Sequence, residues 1–167
     1  MQHRHSSHRR HRWKQAILAG MGGVVTVAIL AGLQPVGWPL LLGSFGSSLV
    51  LLLGFPESGF SKAGRVIGAH TMCVAVGLLA LHGLGDAWWS EALAVGASIA
   101  LMLGFRLVHP PAGSNPLIVF AVKAEWSFLL FPTLAGSVML VLMAAFWRRG
   151  WMTQSVHGPA HRVKASR

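Results

Sequence analysis

Three observations predict an all-α, polytopic transmembrane helical bundle. Apolar residues make up 53% of the chain and charged residues 11%, where soluble domains average about 45 to 50% and about 25%. Six apolar segments follow one another in a long, short, long order that occurs twice. Within them, the polar residues gather with glycine and proline where the short segments lie. The predicted architecture is four full spans plus two short broken or re-entrant helices, in an order that an inverted 3+3 repeat would produce.

Residues 1–15 form a basic arm in which His3, His5, His8 and His11 alternate with Arg4, Arg9, Arg10 and Arg12. Interleaved guanidinium groups oppose a cation, and the arm offers no acid or thiol, so no metal site is expected there. An unstructured segment drawn to anionic lipid is the expectation. The first long segment, 16–33, exceeds the ~7 to 15 residues of a signal-peptide core and lacks a small-x-small cleavage site. It reads as a retained span.

The next segment, 39–55, is short, starts near Pro35 and Pro39, and carries Gly43-Ser44. Two long segments follow, 66–84 and 88–108, each near the ~20 residues a spanning helix needs. Cys73 lies inside the first of them and, as the single cysteine, forms no intrachain disulfide; it reads as a small packing residue. The second short segment, 111–122, starts at a proline pair and carries Gly113-Ser114, and the last long one is 127–147. The transmembrane domain is thus 16–147, and 148–167 is a second basic tail.

Charge placement gives the orientation. If all six segments cross, Lys62, Arg65, Arg106 and both basic tails share one side, and the Asp86 and Glu91 loop and the Lys123 and Glu125 pair take the other. Under the positive-inside rule both termini are then cytoplasmic and the protein sits in an inner membrane. If the two short segments are re-entrant, four helices span and the termini still share a side. Trp13, Trp38, Trp88, Trp89, Trp126, Trp147 and Trp151 all lie near segment ends, as an interfacial aromatic belt requires. Small residues at helical spacing, Gly96, Ala100 and Gly104 and again Ala69, Cys73 and Gly77, read as packing faces.

The same features exclude other classes. The net charge of +10 lies mostly in the two tails, with no nucleic-acid-binding module between them, so no nucleic acid is expected as partner. Only four acids occur, Glu57, Asp86, Glu91 and Glu125, and nucleophile elbow, phosphate loop, paired carboxylates and zinc motif are all missing. The chain does not read as an enzyme, and no cofactor or metal is implied.

Three ordered motifs carry a family resemblance: Gly43-Ser44-Phe45-Gly46-Ser47-Ser48 continuing to Gly54, Val66-Ile67-Gly68-Ala69-His70, and Arg106-Leu107-Val108-His109-Pro110-Pro111-Ala112-Gly113-Ser114-Asn115. Together they resemble the HPP family of integral membrane proteins. The resemblance implies four membrane spans and transport, with plant plastid and cyanobacterial members linked to nitrite movement. Where many relatives have Pro-Arg-Asn before the Gly-x-His motif, this chain has Ala63-Gly64-Arg65, which keeps the charge but moves it by one position.

The residues themselves suggest how a small anion could be held. An anion leaving water needs directed donors. Helix breaks offer backbone amides at the positive end of a helix dipole. The expected site therefore joins Gly43, Ser44, Gly46, Ser47 and Ser48 to Pro110, Pro111, Gly113, Ser114 and Asn115, two broken-helix N-termini sharing one monovalent anion such as nitrite. His70 and His109 would add donors that strengthen on protonation, and Arg106 or Arg65 would draw the ion to the cytoplasmic mouth. The competing reading is a membrane sensor or assembly protein whose Gly and Pro breaks only allow close packing. The lipid bilayer is the expected partner in either case, and so short a chain around a pore suggests a homo-oligomer.

Overall fold

The computed structural model describes the backbone of residues 3–33 and 39–152, and the side chains of 13–32 and 43–150. Every regular element among these residues is helical. Helix α1 (His3–Leu33) runs unbroken from the basic arm into the first apolar segment. The arm, expected to lack structure, is thus helical from His3 onward; no proline interrupts it, and Arg, Lys, Gln and Ala all favour helix. Among the described side chains of α1 a narrow stripe is buried, Gly22, Thr26 and Leu30, four residues apart and so on one face.

Helix α2 (Pro39–Leu49) starts on a proline, whose missing N–H would be unbonded at that position in any case. It widens into a π-helical turn at Val50–Gly54. The Ser61 hydroxyl, at the end of the 3-10 turn Gly59–Ser61, lies 2.7 Å from the Phe55 carbonyl and 3.0 Å from that of Leu51, and so serves the loosened end of that turn.

Helix α3 (Ala63–Leu84) is the centre of the molecule and packs on α4 (Trp88–Gly104), α5 (Asn115–Ala121) and α6 (Ala135–Trp147). Its buried positions Val66, Ala69, His70, Cys73, Val74, Gly77 and Leu78 follow the three-four spacing of one helix face. Glycine ends it, because Gly85 sits at φ 89°, a conformation that side chains resist. The α3–α5 approach is close: a Cβ on Gly77 would stand 3.0 Å from the Pro116 Cα. The stripe Ala69, Cys73, Gly77 is therefore a packing face as expected. The stripe Gly96, Ala100, Gly104 is exposed on the outer side of α4, where a Cβ on Gly96 or Gly104 would meet nothing within 4 Å, so it packs no helix of this chain.

Helices α4 and α5 end alike. Arg106 and Lys123 adopt left-handed φ of 57° and 50°, while the N–H groups of Leu107 and Ala124 reach back to the carbonyls of Met102 and Val119. This is the wrapped C-terminus that normally favours glycine. Among the described residues, three helices are long and apolar enough to cross a membrane, Trp13–Gly32, Ala63–Leu84 and Leu129–Gly150. The segment expected as the remaining long span, 88–108, stays helical only to Gly104, about 25 Å at the usual rise per residue. A break in the last segment was not anticipated: Phe131 is extended (φ −138°, ψ 122°) ahead of Pro132, as residues before proline tend to be.

Contacts fix where the second short segment runs. The ring of His109 meets the Phe60 carbonyl near the start of α3. At the other end of α3, Lys123 pairs with Asp86 and His82 Nε2 donates to the Ala124 carbonyl at 2.9 Å. Residues 109–124 thus follow α3 from one end to the other. Trp147 Nε1 donates to the Leu18 carbonyl at 2.9 Å, which sets the end of α6 beside the middle of α1, where its apolar part begins. Trp88, Trp89 and Trp126 are exposed near helix ends and Trp13 is exposed inside α1, where its apolar part begins, whereas Trp147 is wedged against Gly22. Pro35, the side chains of Trp38 and Trp151, the arm histidines' side chains and residues 153–167 of the basic tail lie outside the described residues.

Candidate functional site

Five buried polar side chains meet where α2, α3 and the 109–115 segment cross: Ser44, Ser48, His70, His109 and Asn115. Each is placed by a separate local device. Ser44 and Ser48 are one turn apart on the inner face of α2. His70 occupies the buried face of α3. His109 is extended (φ −139°, ψ 95°) immediately before Pro110 and Pro111, which impose that backbone and turn the chain into the 3-10 turn Pro110–Ser114. Asn115 then opens α5 with its side chain pointing inward.

The hydrogen bonds determine which atoms donate. Ser44 Oγ donates to Asn115 Oδ1 at 2.8 Å and lies 3.1 Å from the Pro111 carbonyl. Asn115 Nδ2 lies 2.9 Å from His70 Nδ1 and 3.2 Å from the His70 carbonyl. That carbonyl can only accept, so the amide presents its two N–H groups to His70, and His70 Nδ1 accepts. In the neutral ring the proton is then on Nε2, which donates to Ser48 Oγ at 3.0 Å. His109 Nδ1, 2.8 Å from the Phe60 carbonyl, must donate as well. Its Nε2 is left to accept from the Ser48 hydroxyl at 2.8 Å. One directed chain of bonds therefore runs Ser44, Asn115, His70, Ser48, His109, Phe60.

Apolar packing encloses one side of the cluster. Phe45 turns its edge to His70, with centroids 5.1 Å apart and planes at 80°, and its other side lies on Gly136 of α6. The two imidazoles are 5.2 Å apart. Neither Phe45 nor the Phe60 carbonyl was singled out from sequence. Phe45 lies inside the Gly43 to Ser48 motif, but a backbone carbonyl has no sequence signal.

The remaining expected residues form a rim or stand apart. Ser47, exposed, bonds only the Gly43 and Ser44 carbonyls of its own helix. Ser114, also exposed, donates to the Pro111 carbonyl at 3.0 Å, the same carbonyl that Ser44 approaches. Pro110 and Gly43 are exposed and Gly46 half-buried, while Gly113 faces Met102. Arg106 is exposed at the end of α4. Arg65 donates to the Gly59 carbonyl at 2.9 Å and so braces the preceding loop. Two expected helix N-termini do not coincide with the motifs. Gly43 to Ser48 lie inside α2, whose amides are used by the helix, and α5 is entered through a 3-10 turn whose carbonyl at Ala112 already takes the Asn115 N–H. The donors available at the crossing are side chains. Among the described residues no group of three or more His, Cys, Asp or Glu could hold a metal ion.

The chain matches the family model described as "HPP, transmembrane region" over residues 8–158. It belongs to the HPP family. It is also similar to two transmembrane proteins of Dictyostelium discoideum. One is 30% identical over 137 residues, covering 76% of this chain and 48% of the relative. The other is 30% identical over 112 residues, covering 62% and 36%. The HPP chain thus spans about half or less of the curated relatives it matches. No solved structure matches it. Family and helices together make it a multi-pass membrane protein in contact with lipid.

Proposed function

We propose that this HPP-family protein carries a small solute across the membrane, and that the solute is a monovalent anion such as nitrite. The observation that carries the reading is the buried Ser44, Ser48, His70, His109, Asn115 cluster, drawn from three parts of the chain and free of carboxylates. Ionisable side chains inside a membrane protein ordinarily mark a solute or proton path. A cluster rich in hydroxyl, amide and imidazole groups, without a competing negative charge, suits an anion better than a cation. Ser44 and Ser114 converge on one carbonyl and so link the buried cluster to an exposed edge.

In this reading all six segments traverse the bilayer as two inverted halves. Lys62, Arg65, Arg106 and both termini face the cytoplasm of an inner membrane. A homo-oligomer would use the exposed stripe of Gly96, Ala100 and Gly104. Ser48 and His109 have the spacing of a nucleophile and its base, but both are fully buried, and the reading is of a transporter and not an enzyme.

The test is flux into liposomes containing the purified protein, with nitrite, nitrate, formate and chloride compared against protein-free vesicles. Uptake of at least one anion is expected, and folded protein that moves none of them overturns the reading. A second reading, a non-transporting sensor or assembly protein, is favoured by one observation: every polar side chain of the cluster already has a partner. It predicts that variants of these residues unfold the protein instead of slowing flux.

A further inference from the structure

The directed chain of hydrogen bonds treats its two imidazoles differently. His70 cannot gain a proton without damage. Its Nδ1 is the acceptor for Asn115 Nδ2, and a proton there would face an N–H group. Turning the amide over would set Oδ1 against the His70 carbonyl and break the bond from Ser44. His109 can gain one with every bond kept. Its Nδ1 already donates to Phe60, and its Nε2 meets a hydroxyl that has a second acceptor within reach, the Ser44 carbonyl at 2.9 Å from Ser48 Oγ. When a proton adds to the Nε2 lone pair, the Ser48 hydrogen turns to Ser44, and Ser48 Oγ accepts from both rings. Only an N–H bond forms, and the proton comes from hydronium or from the conjugate acid of a solute.

A buried imidazolium needs a counter-charge. The groups facing His109 supply none. Helix α2 offers only the two serines, α3 offers His70, with Cys73 beyond it and Arg65 committed to Gly59, the 59–61 turn offers a carbonyl next to Lys62, α4 ends on Arg106, and α5 offers Asn115. Glu57, Asp86 and Glu125 are exposed in loops and Glu91 is in the first turn of α4. The positive charge must therefore be balanced by something that enters from outside.

We propose that His109 is the proton-binding residue of the cluster and that its counter-ion is the transported monovalent anion, so that anion and proton bind together and cross as a neutral pair. His70 is a positioning residue that stays neutral, and Ser48 is the swivel between the two states. The inference rests on the transport reading and adds its coupling ion.

Two measurements test it on the full chain. Magic-angle-spinning NMR of protein labelled with 15N-imidazole histidine in bilayers, assigned with His70→Gln and His109→Gln, reads protonation directly. Near neutral pH without anion, His109 is expected as the Nδ1–H form and His70 as the Nε2–H form, and saturating nitrite converts His109 alone to imidazolium. In liposomes with a lumenal pH dye, nitrite uptake above the protein-free background is expected to bring a proton with each ion, and His109→Gln to abolish the proton movement. Nitrite uptake without protons, unchanged proton movement in His109→Gln, or an imidazolium at His70 overturns the coupling and leaves transport standing. Absence of flux for every anion in the panel overturns both. If His109→Gln fails to fold, the wild-type spectra and proton count still decide.

Discussion

Ser44 and Asn115, 71 residues apart in sequence, are joined by a 2.8 Å hydrogen bond between hydroxyl and amide oxygen. The His70 carbonyl, which can only accept, orients the amide and the bond from Ser44 follows from that orientation; the amide sets which nitrogen of His70 accepts, and His70 in turn sets the role of Ser48. Asn115 is fully buried and Ser44 nearly so, so water cannot replace either partner.

Replacing Ser44 or Asn115 by Ala is expected to lower stability by about 1 to 3 kcal/mol each, the range for leaving a buried partner unsatisfied. The double variant should lose less than the sum, because both single changes break one shared bond. Denaturant unfolding in detergent measures all three. Strict additivity would show that the two residues do not act as a unit.

Glycine at 136 is expected to be required by the ring of Phe45. A Cβ there would lie 2.7 Å from the ring, and Phe45 has no room to retreat because its edge already rests on His70. Gly136→Val should cost about 1 to 3 kcal/mol by overpacking and should slow anion flux although it removes no polar group. Adding Phe45→Leu should recover part of the stability. A variant as stable as the parent would mean that Phe45 does not transmit the α6 contact to the cluster.

What the sequence revealed follows from what kind of signal each feature leaves. Apolar segments are long-range averages, so the helical bundle and its order were legible. Ser44, Ser48, His70, His109 and Asn115, which the fold brings together, stand out in sequence because polar groups inside apolar stretches are costly and therefore informative. Local backbone was harder. Gly43 and Gly46 suggested a break, yet α2 runs through them and loosens only at Val50–Gly54, since glycine permits a break without imposing one. Pro132 does impose one and was passed over within an apolar run. The outward face of Gly96, Ala100 and Gly104 could not be read from spacing, which gives the face of a helix but not what lies opposite it.

Arg106 ends α4 at φ 57° with its side chain exposed. A non-glycine residue in that region costs roughly 1 to 2 kcal/mol. Arg106→Gly is therefore expected to raise stability by about 1 kcal/mol, less any loss of favourable charge at the helix end. If the guanidinium attracts the solute, anion flux should fall severalfold at low ionic strength and recover toward the parent as salt screens both proteins alike. A stable variant with unchanged flux at every salt concentration would reduce Arg106 to a cap.

Side-specific labelling should separate six crossings from four. Cys73 is buried and should stay unreactive, or can be removed as Cys73→Ser, so single cysteines can be introduced for an impermeant maleimide. His109 beside Phe60 and Lys123 beside Asp86 put the two ends of the second short segment at opposite ends of α3. Lys62→Cys and Arg106→Cys are therefore expected to label from one side of sealed vesicles, and Asp86→Cys and Lys123→Cys from the other. The Lys123–Asp86 pair is exposed on both partners, so breaking it should cost at most about 1 kcal/mol and leave the fold intact for the measurement. Labelling of Lys62→Cys and Lys123→Cys from the same side would make the second short segment re-entrant and remove the inverted 3+3 arrangement.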